Sequence, residues 1–283
     1  MNTIPFHTPN GTTHGTKPVN LHLASAGFTP PSRFDTPEIE FIAHRLTRQA
    51  ADNLAMPRLD ELHMWRFRPE WLPVAVKEGE SWLSKLERER ARRQPSSAQR
   101  KRFIATQLVL RWIVAKLFRC APRAVQFQDN GDEPLCAHHP HSGQTLIIDI
   151  TYAGIWIVIC IGQVSLGLGA ALPRFRQEAT EREVEAADRR QRGPVLYAAQ
   201  QSTQLPDSIR QQARVSSLSN ALRHRAIGIE PEILAHHASS GIADLATAGC
   251  WQIFDIPMPG GICAAVSVAH PVAQIHAYGW PKI

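Results

Sequence analysis

Three groups of residues in this sequence could carry chemistry. Cys136-Ala137-His138-His139-Pro140-His141 brings a thiol and several imidazoles together, the donor types that hold zinc and its neighbours. Pro140 constrains its geometry and the surroundings are polar, so a solvated loop is the default reading and a metal cluster the sharper one. Asp149 is a carboxylate in an otherwise apolar stretch. It could ligate a hard cation such as magnesium, or it could be an exposed charge at a strand end. Arg88, Arg90, Arg92, Arg93, Arg100, Lys101 and Arg102 form a basic run interleaved with Glu87 and Glu89. The plain reading is a charged helix face; the functional one is a surface for an acidic protein, a phosphorylated cofactor or nucleic acid. No aromatic stacking array accompanies the run, which argues against single-stranded nucleic acid. Trp156 and Trp251 sit in apolar strands and read as core.

The elements that must position these groups are legible in outline. Leu62-His63-Met64-Trp65-Arg66-Phe67 alternates as a strand does and opens the folded body. Helices are expected over Glu78 to Arg93 and Ser96 to Phe118, the second from apolar residues recurring at helical spacing. Pro122-Arg123 turns the chain into a short strand at Val125-Gln126-Phe127, and Asn130-Gly131-Asp132 makes a further turn. Strands follow at Thr145 to Thr151 and Ile155 to Ile161, joined by Tyr152-Ala153-Gly154, with a third around Leu166 to Leu168. A charged helix from Glu178 to Gln191, a helix from Ser208 to Arg225, and strands Trp251 to Ile256 and Ile262 to Val268 traverse the order again. The expected fold is therefore α+β and pseudo-duplicated, with halves at 57–172 and 173–283. Residues 1–56 read as a flexible extension carrying one docking helix, Pro37 to Ala55.

Composition bounds the rest. With 43% apolar and 20% charged residues in 283, a substantial core is within reach. No stretch is long and apolar enough to span a membrane, and the N-terminus lacks the pattern of a secretory signal, so the cytoplasm is the expected compartment. Five widely spaced cysteines without a CxxC pair read as free thiols. A net charge of +6 asks for an anionic partner without choosing one.

Five landmarks in order carry a resemblance over roughly residues 60–270. They are the strand ending in Trp65; the helix Arg102-Phe103-Ile104-Ala105 with Leu108 and Arg111; the turn Gly131-Asp132-Glu133-Pro134-Leu135; Ile148-Asp149-Ile150-Thr151-Tyr152-Ala153-Gly154; and Val164-Ser165-Leu166-Gly167-Leu168-Gly169. Together they resemble the Sfp-type 4′-phosphopantetheinyl transferases. That family moves phosphopantetheine from coenzyme A to a serine of an acyl or peptidyl carrier protein, with magnesium on the pyrophosphate. The resemblance implies two carboxylates at alternate strand positions, where this chain has Gly169 and Ala171, and a third, also the base, on a later helix, where it has Ala221 with Asn220 beside it. It also implies a coenzyme A site at Arg102, Thr151, Tyr152 and Arg225, with Glu133 where a lysine belongs. Arg102 is the phosphate-contacting position that matches.

The expectation that follows is a family scaffold without its magnesium site, impaired as an enzyme and acting by binding a carrier protein or other partner. The alternatives are an active divergent transferase using Asp149, and a basic adaptor for nucleic acid.

Overall fold

The structure is a computed structural model, and it describes residues 39–46, 54–72, 79–129, 134–139, 141–173, 206–223, 229–239, 241–245 and 248–280. The expected turn at Asn130 to Glu133, the helix at Glu178 to Gln191, Arg225 and most of residues 1–56 lie outside the described residues. The described residues all belong to one compact unit, Pro37–Ile283.

Strands β1 (Glu40–His44), β2 (Glu61–Phe67), β3 (Gln126–Gln128), β4 (Leu135–His138), β5 (Thr145–Ala153), β6 (Trp156–Gly162) and β11 (Gln274–Tyr278) form the larger sheet, in the order β1-β11-β2-β6-β5-β4-β3. The smaller sheet, β7-β10-β9-β8, consists of β7 (Leu166–Ala171), β8 (Ile242–Leu245), β9 (Gly249–Ile256) and β10 (Cys263–Val268). Helices α1 (Lys85–Arg92), α2 (Ser97–Leu117), α3 (Pro206–Arg223) and α4 (Pro231–Ser239) complete the set.

Alternation along the strands sorts the core into layers. On β6, Ile157, Ile159 and Ile161 join Trp65 and Phe67 of β2 and pack on Val109, Leu110 and Ile113 of α2. The opposite face, Val158 and Cys160 of β6 with Leu62 and Met64 of β2, packs on Leu166 and Leu168 of β7 and Val266 of β10. The far side of the smaller sheet, with Ala171, Ala265, Trp251 and Ile253, takes α3 and α4 through Ile209, Ala213, Ala221 and Leu234. The result is helix, sheet, sheet, helix. Each Leu or Ile so buried contributes about 1.5–3 kcal/mol before entropy is counted.

Capping and a buried ion pair fix the helices. Ser84 and Glu87 make a reciprocal capping box at the start of α1, and Ser96 accepts from the Gln99 amide to start α2. Arg111 of α2 forks onto both Glu87 oxygens at 2.8–3.1 Å, while its Nη1 donates to the carbonyls of Pro122 and Val125 at 3.0 Å each. Each of the three guanidinium nitrogens donates to an acceptor, which is what allows the group to be buried.

One expectation is corrected here. The stretch read as a docking helix, Pro37 to Ala55, contains strand β1, which pairs in parallel with β11 from Glu40 opposite Gln274 to His44 opposite Tyr278. Its alternating Phe41 and Ala43 reach the core between the sheets, so the folded body begins before residue 57. The expected halves also interleave: β11 completes the sheet built from the first half, and β7 is paired to β10 of the second. The general α+β character stands.

Candidate functional site

Strand β7 presents Gly167, Gly169 and Ala171 to α3. A Cβ at Gly169 would lie 2.1 Å from the Ala213 carbonyl oxygen and 2.3 Å from the Ser217 amide nitrogen. At Gly167 it would lie 2.3 Å from the Ala221 amide nitrogen and 2.5 Å from the Ser217 carbonyl oxygen. Helix backbone thus rests directly on strand backbone, an approach only glycine permits. Ala213 and Ala221 keep the helix side of the seam small, and both are buried, as is Ala171. Across it, the buried Ser217 hydroxyl meets the Ser267 hydroxyl at 2.7 Å and donates to the Arg214 carbonyl at 2.8 Å.

The free edge of β7 is closed by side chains. The Leu168 amide donates to Asp149 Oδ2 at 2.6 Å, and the Leu168 carbonyl accepts from Asn220 Nδ2 at 2.7 Å. The other oxygen of Asp149 accepts from the Ile150 amide at 2.8 Å. Asp149 is therefore a mid-strand residue of β5 whose carboxylate bridges the two sheets, not an exposed strand-end charge. Burial raises its carboxyl to about 6, against the lowering pull of those two amides and of Arg223. Arg223 also donates to Asn220 Oδ1, which ties the helix end into the same network.

This arrangement does not fit a magnesium ion. Gly169, Ala171 and Ala221 offer no oxygen ligand from their side chains, the seam between them is filled by backbone, and the nearby carboxylate is spent on amides.

The residues expected to hold coenzyme A meet in part. Arg102 of α2 lies over the Tyr152 ring, 5.4 Å from its centroid, and donates to the Gly154 carbonyl at 2.6 Å. Gly154 turns the β5–β6 hairpin with φ near 61°, so Arg102 braces that turn. Tyr152 shares a hydrogen bond with Thr106 at 3.3 Å. Thr151 is the neighbouring, half-buried residue of β5; Arg225 lies outside the described residues. Around this hairpin Tyr152, Ile155 and Leu172 are exposed, with relative exposures of 42%, 52% and 45%.

Other sequence candidates resolve as scaffolding. His138 bonds Thr145 and Gln128 through its two ring nitrogens at 3.0 Å each. His139 Nε2 bonds the Phe118 carbonyl, and its Nδ1 accepts from the amides of His141 and Ser142. The loop reading is corrected for Cys136 to His138, which belong to strand β4 and pair with β3 and β5; His139 shapes the turn that follows. In the basic run, Arg90 pairs with Asp129, Lys101 approaches Glu70 at 3.8 Å and Arg88 caps the Leu83 carbonyl. Trp156 and Trp251 are core.

Sequence reasoning passed over one cluster. Glu61 and His63 of β2 and His276 of β11 have ligand atoms within 4.8 Å of one another. A local signal existed: Leu62-His63-Met64-Trp65 and Ile275-His276-Ala277-Tyr278 repeat the order apolar, His, apolar, aromatic. Parallel register then sets His63 opposite His276.

A scan against protein-family models finds no match for this chain, and a search of the curated proteins finds none either.

Proposed function

We propose that this chain is a divergent member of the Sfp-type phosphopantetheinyl transferase superfamily in which the ion site has become a packing seam, and that it acts by binding a carrier protein rather than by transferring phosphopantetheine. One observation carries the reading. Gly169, Ala171 and Ala221, the positions at which the resemblance expects carboxylates, come from a strand and a distant helix yet belong to one contact between β7 and α3. Unrelated surface positions would have no reason to converge. Without the carboxylates, the pyrophosphate charge lacks compensation and no base stands ready for the serine hydroxyl.

What supports binding is the hairpin. Exposed Tyr152, Ile155 and Leu172 make an apolar patch beside Arg102, a basic rim that suits an acidic carrier-protein surface. An active transferase is less well supported, because Asp149 is engaged by two amides. Nucleic acid is less well supported because several of the basic side chains in the run are already paired.

Titration of the full chain with an acidic apo carrier protein, without coenzyme A or magnesium, tests the binding reading. Saturable binding weakened at least about tenfold by Ile155→Asp is expected, the size of effect that follows from placing a charge in a desolvated contact. Absence of binding, or binding indifferent to that substitution, contradicts it.

A further inference from the structure

We propose that Glu61, His63 and His276 form a binding site for a divalent transition metal of the zinc class, which pins the last strand of the larger sheet, β11, to β2. The three side chains share one face of two adjacent parallel strands, with His63 opposite His276 and Glu61 one pleat away. Two imidazoles and a carboxylate are a donor set of borderline softness, suited to zinc, cobalt or nickel and poorly suited to magnesium.

Spacing and electrostatics fit this assignment. Donor atoms around a tetrahedral zinc lie about 3.3 Å apart, so a set already within 4.8 Å needs only small side-chain rotations to close. His63 is 4% exposed, and its Nδ1 has no hydrogen-bond partner among the described residues, although nearly every buried polar atom finds one. Burial first, then the nearby His276 and His44 rings, pushes the His63 imidazolium down to about 3.

The surroundings supply orientation. His44 of β1 hydrogen-bonds His276 Nδ1 through Nε2 at 3.2 Å and stacks on Tyr278 with centroids 4.6 Å apart. That contact places a second ring behind a ligand, as metal-binding histidines commonly require. The competing group is Arg58, which lies 3.1 Å from one Glu61 oxygen, while its amide donates to the other at 2.9 Å. Glu61 is thus already aimed, and a metal shares it with Arg58. The fourth coordination position is left to solvent.

The test uses the full-length chain, dialysed against zinc and then against metal-free buffer, with bound metal counted by mass spectrometry of the element. About one equivalent per chain is expected, with affinity reduced more than about tenfold in Glu61→Gln and in His276→Gln, and less severely in His44→Ala. His276 is only half-buried, so His276→Gln keeps the test meaningful even if substituting His63 unfolds the chain. Cobalt substitution supplies an independent readout, because the protein also holds five free cysteines. A tetrahedral ligand-field spectrum without a thiolate charge-transfer band is expected. Folded protein that retains no metal, metal retained equally by the Glu61→Gln and His276→Gln variants, or a thiolate band each overturns the assignment.

Discussion

At Gly169 the residue type is dictated by the atom opposite, a helix carbonyl 2.1 Å from where a Cβ would stand. Gly169→Ala is accordingly expected to destabilise the fold by roughly 3 kcal/mol or more, the upper end of overpacking costs, since backbone cannot swing aside as a side chain can. Equilibrium urea unfolding measures this, and a variant as stable as the parent contradicts the seam. Asp149 makes a second prediction at this scale. Its folded-state carboxyl lies near 6, above the ordinary carboxylate value of 3.8, so the fold favours the neutral form. The stability it contributes is complete below about pH 4 and is lost as pH rises through about 6, a swing on the order of 3 kcal/mol. Asp149→Asn lacks this titration. Relative to the parent, the variant should gain stability as pH rises from about 4 to about 7, and a difference that does not change with pH contradicts the assignment.

At the scale of elements, the buried pair between α1 and α2 is the most exposed to single substitutions. Arg111→Ala leaves Glu87 buried without a cation, which is expected to cost about 3–5 kcal/mol; guanidinium unfolding that shows less than about 1 kcal/mol contradicts that role. Apolar periodicity made α2, β5, β6, β9 and β10 readable in the sequence, because each repeats its burial within its own length. The strand β1 was not readable. Ile39, Ile42 and Leu46 mimic helical spacing, and the partner that decides for a strand, β11, lies at the other end of the chain, with His44 and His276 separated by 232 positions. The absence of carboxylates at Gly169, Ala171 and Ala221 was visible in the sequence. The reason glycine is required there was not, since it resides in Ala213 and Ser217 of a helix more than forty positions away. His63 and His276 each look alone like an ordinary strand histidine, and only the repeated order apolar, His, apolar, aromatic around them points to their pairing.

Among the described residues, four layers hold the β7–α3 seam on one side and the β5–β6 hairpin with Arg102 beside it, while β11, paired with β1 on one edge and β2 on the other, brings both ends of the described chain into one sheet. No helix among the described residues is long and apolar enough to cross a membrane. The proposed reading is that this scaffold presents a binding surface and does not support transfer; helix backbone packs directly on Gly167 and Gly169. Incubating the full chain with coenzyme A, magnesium and an apo carrier protein, and weighing the carrier by intact mass spectrometry, tests that claim most directly. A carrier of unchanged mass is expected. A carrier heavier by the phosphopantetheine group, formed only when this chain is present, would contradict it.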